Sequence, residues 1–269
     1  MKTTKYGFIG TGNMGGALAE AVCKFVDPRD VMLADCLPQK AAELAQRLGC
    51  VSTDNEDIAA NADYIFIGVK PQVLPTVFDS LSVLLGARKT PAVLVTMAAG
   101  IPIKQIMVLS CGNYPIIRIM PNTPVSIGKG LILCSANERV TDGQLRGFSE
   151  ILSRAGTTDF IDEKLIDAAS ALSGCGPAFA YMFIEALADG AVECGLPRDK
   201  AIGYASQTLA GAAGLVLETG KHPELLKDEV CSPGGSTIAG VYALESGGFR
   251  ASAMDAVKAA FKRTKELGS

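Results

Sequence analysis

Histidine is nearly missing from this chain: the one copy is His222, followed at once by Pro223. A nucleophile–histidine–carboxylate triad or a histidine-rich metal centre cannot be built from one imidazole in a polar stretch. Close cysteine pairs are missing too. Eight cysteines stand at positions 23, 36, 50, 111, 134, 175, 194 and 231, with no Cys-x-x-Cys among them. No metal site is therefore expected, and the thiols read as reduced, half-buried packing residues. The longest hydrophobic stretch, Ala92 to Ile103, is broken by Thr96, Gly100 and Pro102. It falls short of the ~20 apolar residues of a membrane span. No basic segment running into an apolar core opens the chain, and no Lys/Arg cluster occurs, so neither export, a membrane nor nucleic acid is expected as destination or partner. What is there is ordinary: 269 residues, 48% apolar, 20% charged, with a formal charge of −3. Those values suit a cytoplasmic globular protein of two domains or one large one, and an enzyme so poor in histidine would leave its hard step to a cofactor.

The first motif supplies one. Tyr6 to Ile9 is a short apolar strand; Gly10-Thr11-Gly12-Asn13-Met14-Gly15 follows, then Ala17 to Val22, rich in helix formers. This is GxGxxG in the strand–turn–helix setting of a dinucleotide fold. Gly10 allows the tight turn, Gly12 lets backbone approach a pyrophosphate, and Gly15 lets helix and strand pack closely. A second strand, Val31 to Ala34, leads into Asp35, twenty residues after Gly15. A carboxylate there accepts the adenine ribose hydroxyls and repels a 2′-phosphate, which leans toward NADH over NADPH. The alternative is that Asp35 turns outward and Lys40 or backbone amides hold a phosphate.

The alternation continues with a helix over 39–48, a strand over 62–69 ending in Lys70-Pro71, and a helix over 73–85. Strands over 92–96 and 115–120 follow, ending in Met97-Ala98-Ala99-Gly100 and Pro121-Asn122-Thr123-Pro124. Small and turn-forming residues at three successive strand ends would let a flat ring lie against the backbone. The strand signal stops after a last strand over 156–161. Helices are expected over 165–172, 178–194, 198–218, 236–245 and 251–267. The domains are therefore 1–162, dinucleotide-binding, and 163–269, helical. The fold class is α/β: a Rossmann-like N-terminal domain plus an all-α C-terminal domain. The helices are rich in Ala and Gly, as in Gly203, Ala205, Ala210, Gly211 and Ala212, and an apolar helical half without a sheet to cover suits homodimerisation. Within it, Cys231-Ser232-Pro233-Gly234-Gly235-Ser236-Thr237 opens a helix. It reads either as an anion site suited to a carboxylate or as a plain cap after a Pro-Gly turn.

Taken together, FIGTGNMGGAL, VKP at 69–71, MAAG at 97–100, MPNTP at 120–124, LSGCGPAF at 172–179, DGAVECGLPR at 189–198 and LKDEVCSPGGSTIAGVYALESGGFR at 226–250 resemble pyrroline-5-carboxylate reductase. The resemblance covers nearly the whole chain, and its last block is foreign to GxGxxG proteins at large. It implies reduction of 1-pyrroline-5-carboxylate, a small cyclic imino acid, to L-proline with NADPH or NADH (NADP or NAD as cofactor), the last step of proline biosynthesis. It further implies that Ile9, Gly10, Thr11, Gly12, Asn13, Met14, Asn55, Gly68, Val69, Lys70, Pro71, Met97, Ala98 and Ala99 contact the dinucleotide, with Asn122 and Thr123 beside the nicotinamide. Gly234, Gly235, Ser236 and Thr237 would hold the substrate, with Thr237 as the catalytic hydroxyl near the ring nitrogen. Dimers of interleaved helical domains, assembled into larger homo-oligomers with the substrate loop near the partner's nucleotide domain, are part of the same resemblance.

Physical chemistry agrees with that chemistry. A cyclic imine protonates readily and its iminium carbon already accepts hydride, so the protein need only fix a carboxylate, orient the C=N bond and offer one hydroxyl. The sequence departs from the family at Cys175 and Cys231, where members often carry Ser, and at Asp35, where many carry a small polar residue compatible with NADP. Two other readings stand beside this one. A β-hydroxyacid-type dehydrogenase would need a helical-domain lysine that is not found, and a nucleotide-binding regulator would bind without turnover.

Overall fold

Four-residue apolar runs, each buried along its whole length, set the first half of the fold in the computed structural model, which describes residues 3–267. They are β1 (Tyr6–Ile9), β2 (Val31–Ala34), β4 (Tyr64–Ile67) and β5 (Val93–Thr96), joined by β3 (Val51–Ser52), β6 (Ile116–Pro121), β7 (Gly130–Ala136) and β8 (Gly156–Phe160). The sheet order is β3-β2-β1-β4-β5-β6-β7-β8. The first six strands pair in parallel, with Phe8 level with Leu33 on one side and Phe66 on the other. Strand order therefore reverses between β1 and β4, the switch point at which open α/β sheets take ligands.

Alternation along the strands supplies both faces. Phe8 and Phe66 stack with ring centroids 4.4 Å apart on the face that α1 (Asn13–Cys23), α2 (Pro38–Leu48) and α6 (Asp142–Ile151) cover. Ile9, Ile65 and Leu94 point to the other, under α3 (Asn55–Asn61), α4 (Leu74–Gly86) and α5 (Ile103–Leu109). Strand β7, not among the strands expected from the sequence, runs antiparallel to β6. One tight 3₁₀ turn over Thr123–Ile127, closed by Gly128 at φ 73°, links the two. A turn that short allows reversal and no parallel crossover.

Beyond β8 no strand occurs among the described residues, and α7 (Ile166–Ser173), α8 (Gly176–Glu193), α9 (Arg198–Thr219), α10 (Pro223–Val230), α11 (Ser236–Ser246) and α12 (Phe249–Leu267) complete the chain. The Rossmann-like sheet followed by an all-helical part is the fold class the sequence implies. Helix α10 falls where the sequence pattern indicates none. It begins with Pro223, and the His222 Nδ1 caps it by accepting the Glu224 N–H at 3.3 Å. The chain up to Cys175, with the residues from Ala260 onward, forms one compact unit, and Gly176–Ala259 a second.

Within the first unit, Arg118 of β6 is buried and holds Glu163 and Asp167 at 3.1 Å each, while Lys265 of α12 reaches Asp167 at 3.0 Å. Within the second, the buried residues are the small Ala188, Ala201 and Ala205, on α8 and α9. Tyr181, Met182, Tyr204, Leu217 and Tyr242 are exposed there. The helical run Glu163–Glu193 is long and apolar enough to cross a membrane by length and composition alone. It is a different segment from Ala92 to Ile103, the interrupted hydrophobic stretch singled out in the sequence.

Candidate functional site: a glycine cradle and a loop before a helix

At the end of β1 the chain turns through Gly10 at φ 95°, a left-handed conformation in which a side chain would be strained. The Gly10 N–H donates to Ala34 O and the Gly68 N–H to Ile9 O, both at 2.8 Å, so the ends of β1, β2 and β4 are stitched together. A Cβ at Gly15 would sit 2.1 Å from the Gly10 carbonyl, whereas one at Gly12 would meet nothing within 4 Å. The first position thus needs glycine for packing, and the second leaves open space above the start of α1. No acidic residue lies in the first turn of α1 and no side chain caps it. Its leading N–H groups have no helical acceptor, which makes a cradle for an anion such as a pyrophosphate. The groove beside it, about 550 Å³, is lined by Thr11, Gly12, Asn13, Glu20, Lys40 and Arg47 among others. Arg47 is paired with Glu20 at 3.1 Å.

Asp35 has a more definite role than a sequence pattern can give it. Its Oδ2 accepts the Thr11 N–H at 2.7 Å and the Thr11 hydroxyl at 3.0 Å, and its Oδ1 accepts the Leu37 N–H at 3.1 Å. Burial pushes the carboxyl up, but the hydrogen bonds from Leu37 and Thr11 outweigh it and hold the group below the usual carboxylate range. The side chain is an ionised clasp on the glycine turn, with Thr11 itself buried.

The remaining residues expected at the dinucleotide gather at one edge of the sheet. Ile9 to Met14, Gly68 to Pro71, Met97 to Ala99 and Asn122-Thr123 follow the adjacent strands β1, β4, β5 and β6, and Asn55 opens α3 after β3. The Ala98 N–H donates to the buried Thr96 hydroxyl at 3.4 Å, bending the chain back after β5. Asn122 is committed to the framework at both ends of its amide. Its Nδ2 donates to Ser173 O at 3.0 Å and its Oδ1 accepts the Leu131 N–H at 2.9 Å. The sequence carries no sign of that role; the resemblance places Asn122 only beside a ring.

In the second unit, Gly234 takes φ 70° and a Cβ there would meet nothing within 4 Å. The Gly235 N–H closes the turn onto Ser232 O at 3.0 Å. Helix α11 then starts at Ser236 with Gly235 as its cap, no side-chain cap bond and no acid in its first turn. Ser236 is exposed and Thr237 half-buried. These features leave amide hydrogens and two hydroxyls together, a set suited to a carboxylate with one further donor to spare. The Arg250–Glu224 ion pair, which ties the start of α12 to the start of α10, carries no signal in the sequence because 26 residues separate the two.

Comparison with known proteins adds a family. A profile described as "Pyrroline-5-carboxylate reductase dimerisation" matches residues 163–267, and one described as "NADP oxidoreductase coenzyme F420-dependent" matches residues 5–100. A pyrroline-5-carboxylate reductase of Pisum sativum is 40% identical over 97% of this chain and 95% of its own. Among solved structures, the pyrroline-5-carboxylate reductase of Coxiella burnetii superposes with a TM-score of 0.90 at 32% identity, covering all of both chains. The pyrroline carboxylate reductase of Plasmodium falciparum with NADP bound does so at 0.86 and 30%, again over all of both chains.

Proposed function

The chain belongs to the pyrroline-5-carboxylate reductase family, and from that premise we propose that it reduces 1-pyrroline-5-carboxylate to L-proline with NAD(P)H, closing proline biosynthesis. The observation that carries the reading is the presence, in one chain, of an open glycine cradle at Gly12 and of a separate uncapped helix start at Ser236–Thr237. The first fits a dinucleotide: the residues at the β1–α1 turn leave the room and the unpaired N–H groups that a pyrophosphate needs. When bound, the dinucleotide supplies the hydride.

The chain's own residues do the rest. The amides following Gly12 take the phosphates, and Gly68 to Pro71, Met97 to Ala99 and Thr123 line the strand ends along which the cofactor would lie. Asn55 is assigned to the same groove. Asn122 holds the β6 end in place through its two framework bonds. Gly234, Gly235 and Ser236 fix the substrate carboxylate, and the Thr237 hydroxyl hydrogen-bonds the ring nitrogen, which must hold a proton for its carbon to accept hydride. Positioning of this kind is the larger part of what such a reaction needs. Asp35 places a fixed negative charge at the end of β2, favouring the dinucleotide without a 2′-phosphate.

The functional division falls at 162/163, and the helical part serves as the subunit contact of a homodimer that assembles further. Its exposed tyrosines and leucines, and the apolar Glu163–Glu193 run, are supported as subunit surface by the dimerisation profile matched there. All eight cysteines are free, which suits the reducing cytoplasm.

The test is the loss of NADH and NADPH absorbance in parallel with pyrroline-5-carboxylate as oxidant. Oxidation of either is expected; oxidation of neither, with dinucleotide binding verified by titration, overturns the reading.

A further inference from the structure

The loop that the pyrroline-5-carboxylate reading assigns to the substrate hangs between two helices that bury no residue fully within the chain: neither α10 nor α11 has a buried residue. Apolar packing inside the chain is therefore thin around it, with Leu226 and Val241 only half-buried. One guanidinium reaches both helices. Arg250, the second residue of α12, donates from Nη2 to Glu224 Oε1 in the first turn of α10 and from Nε to Glu245 Oε1 near the end of α11, each at 2.6 Å. Glu224 takes Lys227 Nζ on its other oxygen at 2.6 Å, and Lys227 with Arg250 holds the Glu224 carboxyl down to about 2. The residue before, Phe249, stacks on Phe183 of α8 with centroids 5.2 Å apart. Phe249 thus anchors the start of α12, and Arg250 draws the start of α10 and the end of α11 onto it. The segment between those two helices is Cys231 to Gly235, leading into Ser236 and Thr237.

We propose that Arg250 is a positioning residue for the reaction: it closes the α10–α11 hairpin at its open end and so sets the spacing of Gly234, Gly235, Ser236 and Thr237 at the other. The inference rests on the functional reading above and adds to it a residue that touches neither substrate nor cofactor. A lone exposed ion pair contributes little, but a planar fork shared by two carboxylates on two helices, with a second cation alongside, fixes direction as well as distance. A displacement near 1 Å at a binding loop is enough to cost about 100-fold.

The experiment compares wild type, Arg250→Ala, Arg250→Lys and Glu224→Gln in kcat, in KM for pyrroline-5-carboxylate and in KM for the dinucleotide. Protection of each protein by L-proline against thermal unfolding gives a readout independent of turnover. Arg250→Ala is expected to raise the imine KM by about 5–30-fold and to weaken proline protection, with the dinucleotide KM within about twofold. Arg250→Lys, which keeps a cation for one carboxylate, recovers part of the loss, and Glu224→Gln gives a smaller shift of the same sign. An unchanged imine KM in Arg250→Ala overturns the inference, and so does an equal rise in both KM values. If Arg250→Ala does not fold, Glu224→Gln decides on the same criteria. A wild type that turns over no imine overturns the functional reading itself, which is a distinct result.

Discussion

The two halves of this molecule hold their own shapes by different means. The nucleotide half is finished within one chain: Phe8, Phe66, Phe78 and Phe148 are fully buried, aromatic rings stack through its centre, and charged Arg118 is enclosed with two carboxylates. The helical unit Gly176–Ala259 encloses three alanines and leaves Tyr242 75% and Leu217 85% exposed. Its order comes from the packing of α8 on α9 and from surface ion pairs. A sheet with helices on both faces consumes its own apolar surface; a set of Ala- and Gly-rich helices with no sheet leaves that surface for something else. Glycines shape a candidate site in both halves, but in the first they are backed by a core, and in the second by Arg250 and its carboxylates.

The sharpest separation of the two should come from Phe66→Ala. Removing a fully buried ring from the stack is expected to cost about 3–5 kcal/mol, read by denaturant unfolding, and the loss should not depend on protein concentration. A loss under about 1 kcal/mol would mean the sheet core is not what stabilises this half. Next in size is Thr237→Ala in the helical half. Turnover should fall about 10–1000-fold, the range for one positioned donor, with little change in melting temperature. Unchanged kinetics would remove Thr237 from the mechanism.

Tyr242→Asp then tests whether the helical surface is truly bare in solution. On an open surface such a change stays within about ±0.5 kcal/mol. The expected result is larger: a charge placed in a subunit contact should halve the mass seen by light scattering, with thermal stability that falls on dilution. A mass unchanged from wild type, whether monomer or dimer, would separate Tyr242 from any contact.

How much of this is readable beforehand depends on distance along the chain. The GxGxxG turn, the four apolar strands and the helical second half are local patterns, and each forms where its residues indicate. Strand β7 is easily passed over because its reversal onto β6 is set by the turn over Thr123–Ile127 and not by its own pattern, and α10 because a single histidine before proline does not look like a helix cap. Neither the Asp35–Thr11 clasp, 24 residues apart, nor the Arg250 fork can be read at all. Side-chain bonds that close between distant positions leave no periodicity, and they are the bonds that shape the candidate site.

Asp35 offers the smallest effect and the finest test, since it is both framework and charge. Its Oδ2 already accepts two hydrogen bonds from Thr11 and its Oδ1 one from the Leu37 N–H, so little of Oδ1 is left to offer a ribose hydroxyl; its charge acts at longer range. Two like charges about 4 Å apart interact by about 1 kcal/mol in water and about 4 kcal/mol near a protein surface. Asp35→Ser should therefore raise the ratio of NADPH to NADH kcat/KM by about tenfold, while loosening of the Thr11 turn raises both KM values together. The pH dependence carries the same sign. Because hydrogen bonds lower the folded-state pKa, the carboxylate's stabilisation is complete above its unfolded value, about 3.9. It disappears as pH falls through the lower folded value. Asp35 should accordingly cost no folding stability from neutral pH down to about 4, as measured by denaturant unfolding of wild type and Asp35→Ser in parallel. A ratio that Asp35→Ser leaves unchanged would make the residue a clasp on the glycine turn and nothing more, and the groove-lining Lys40 would become the group to substitute next.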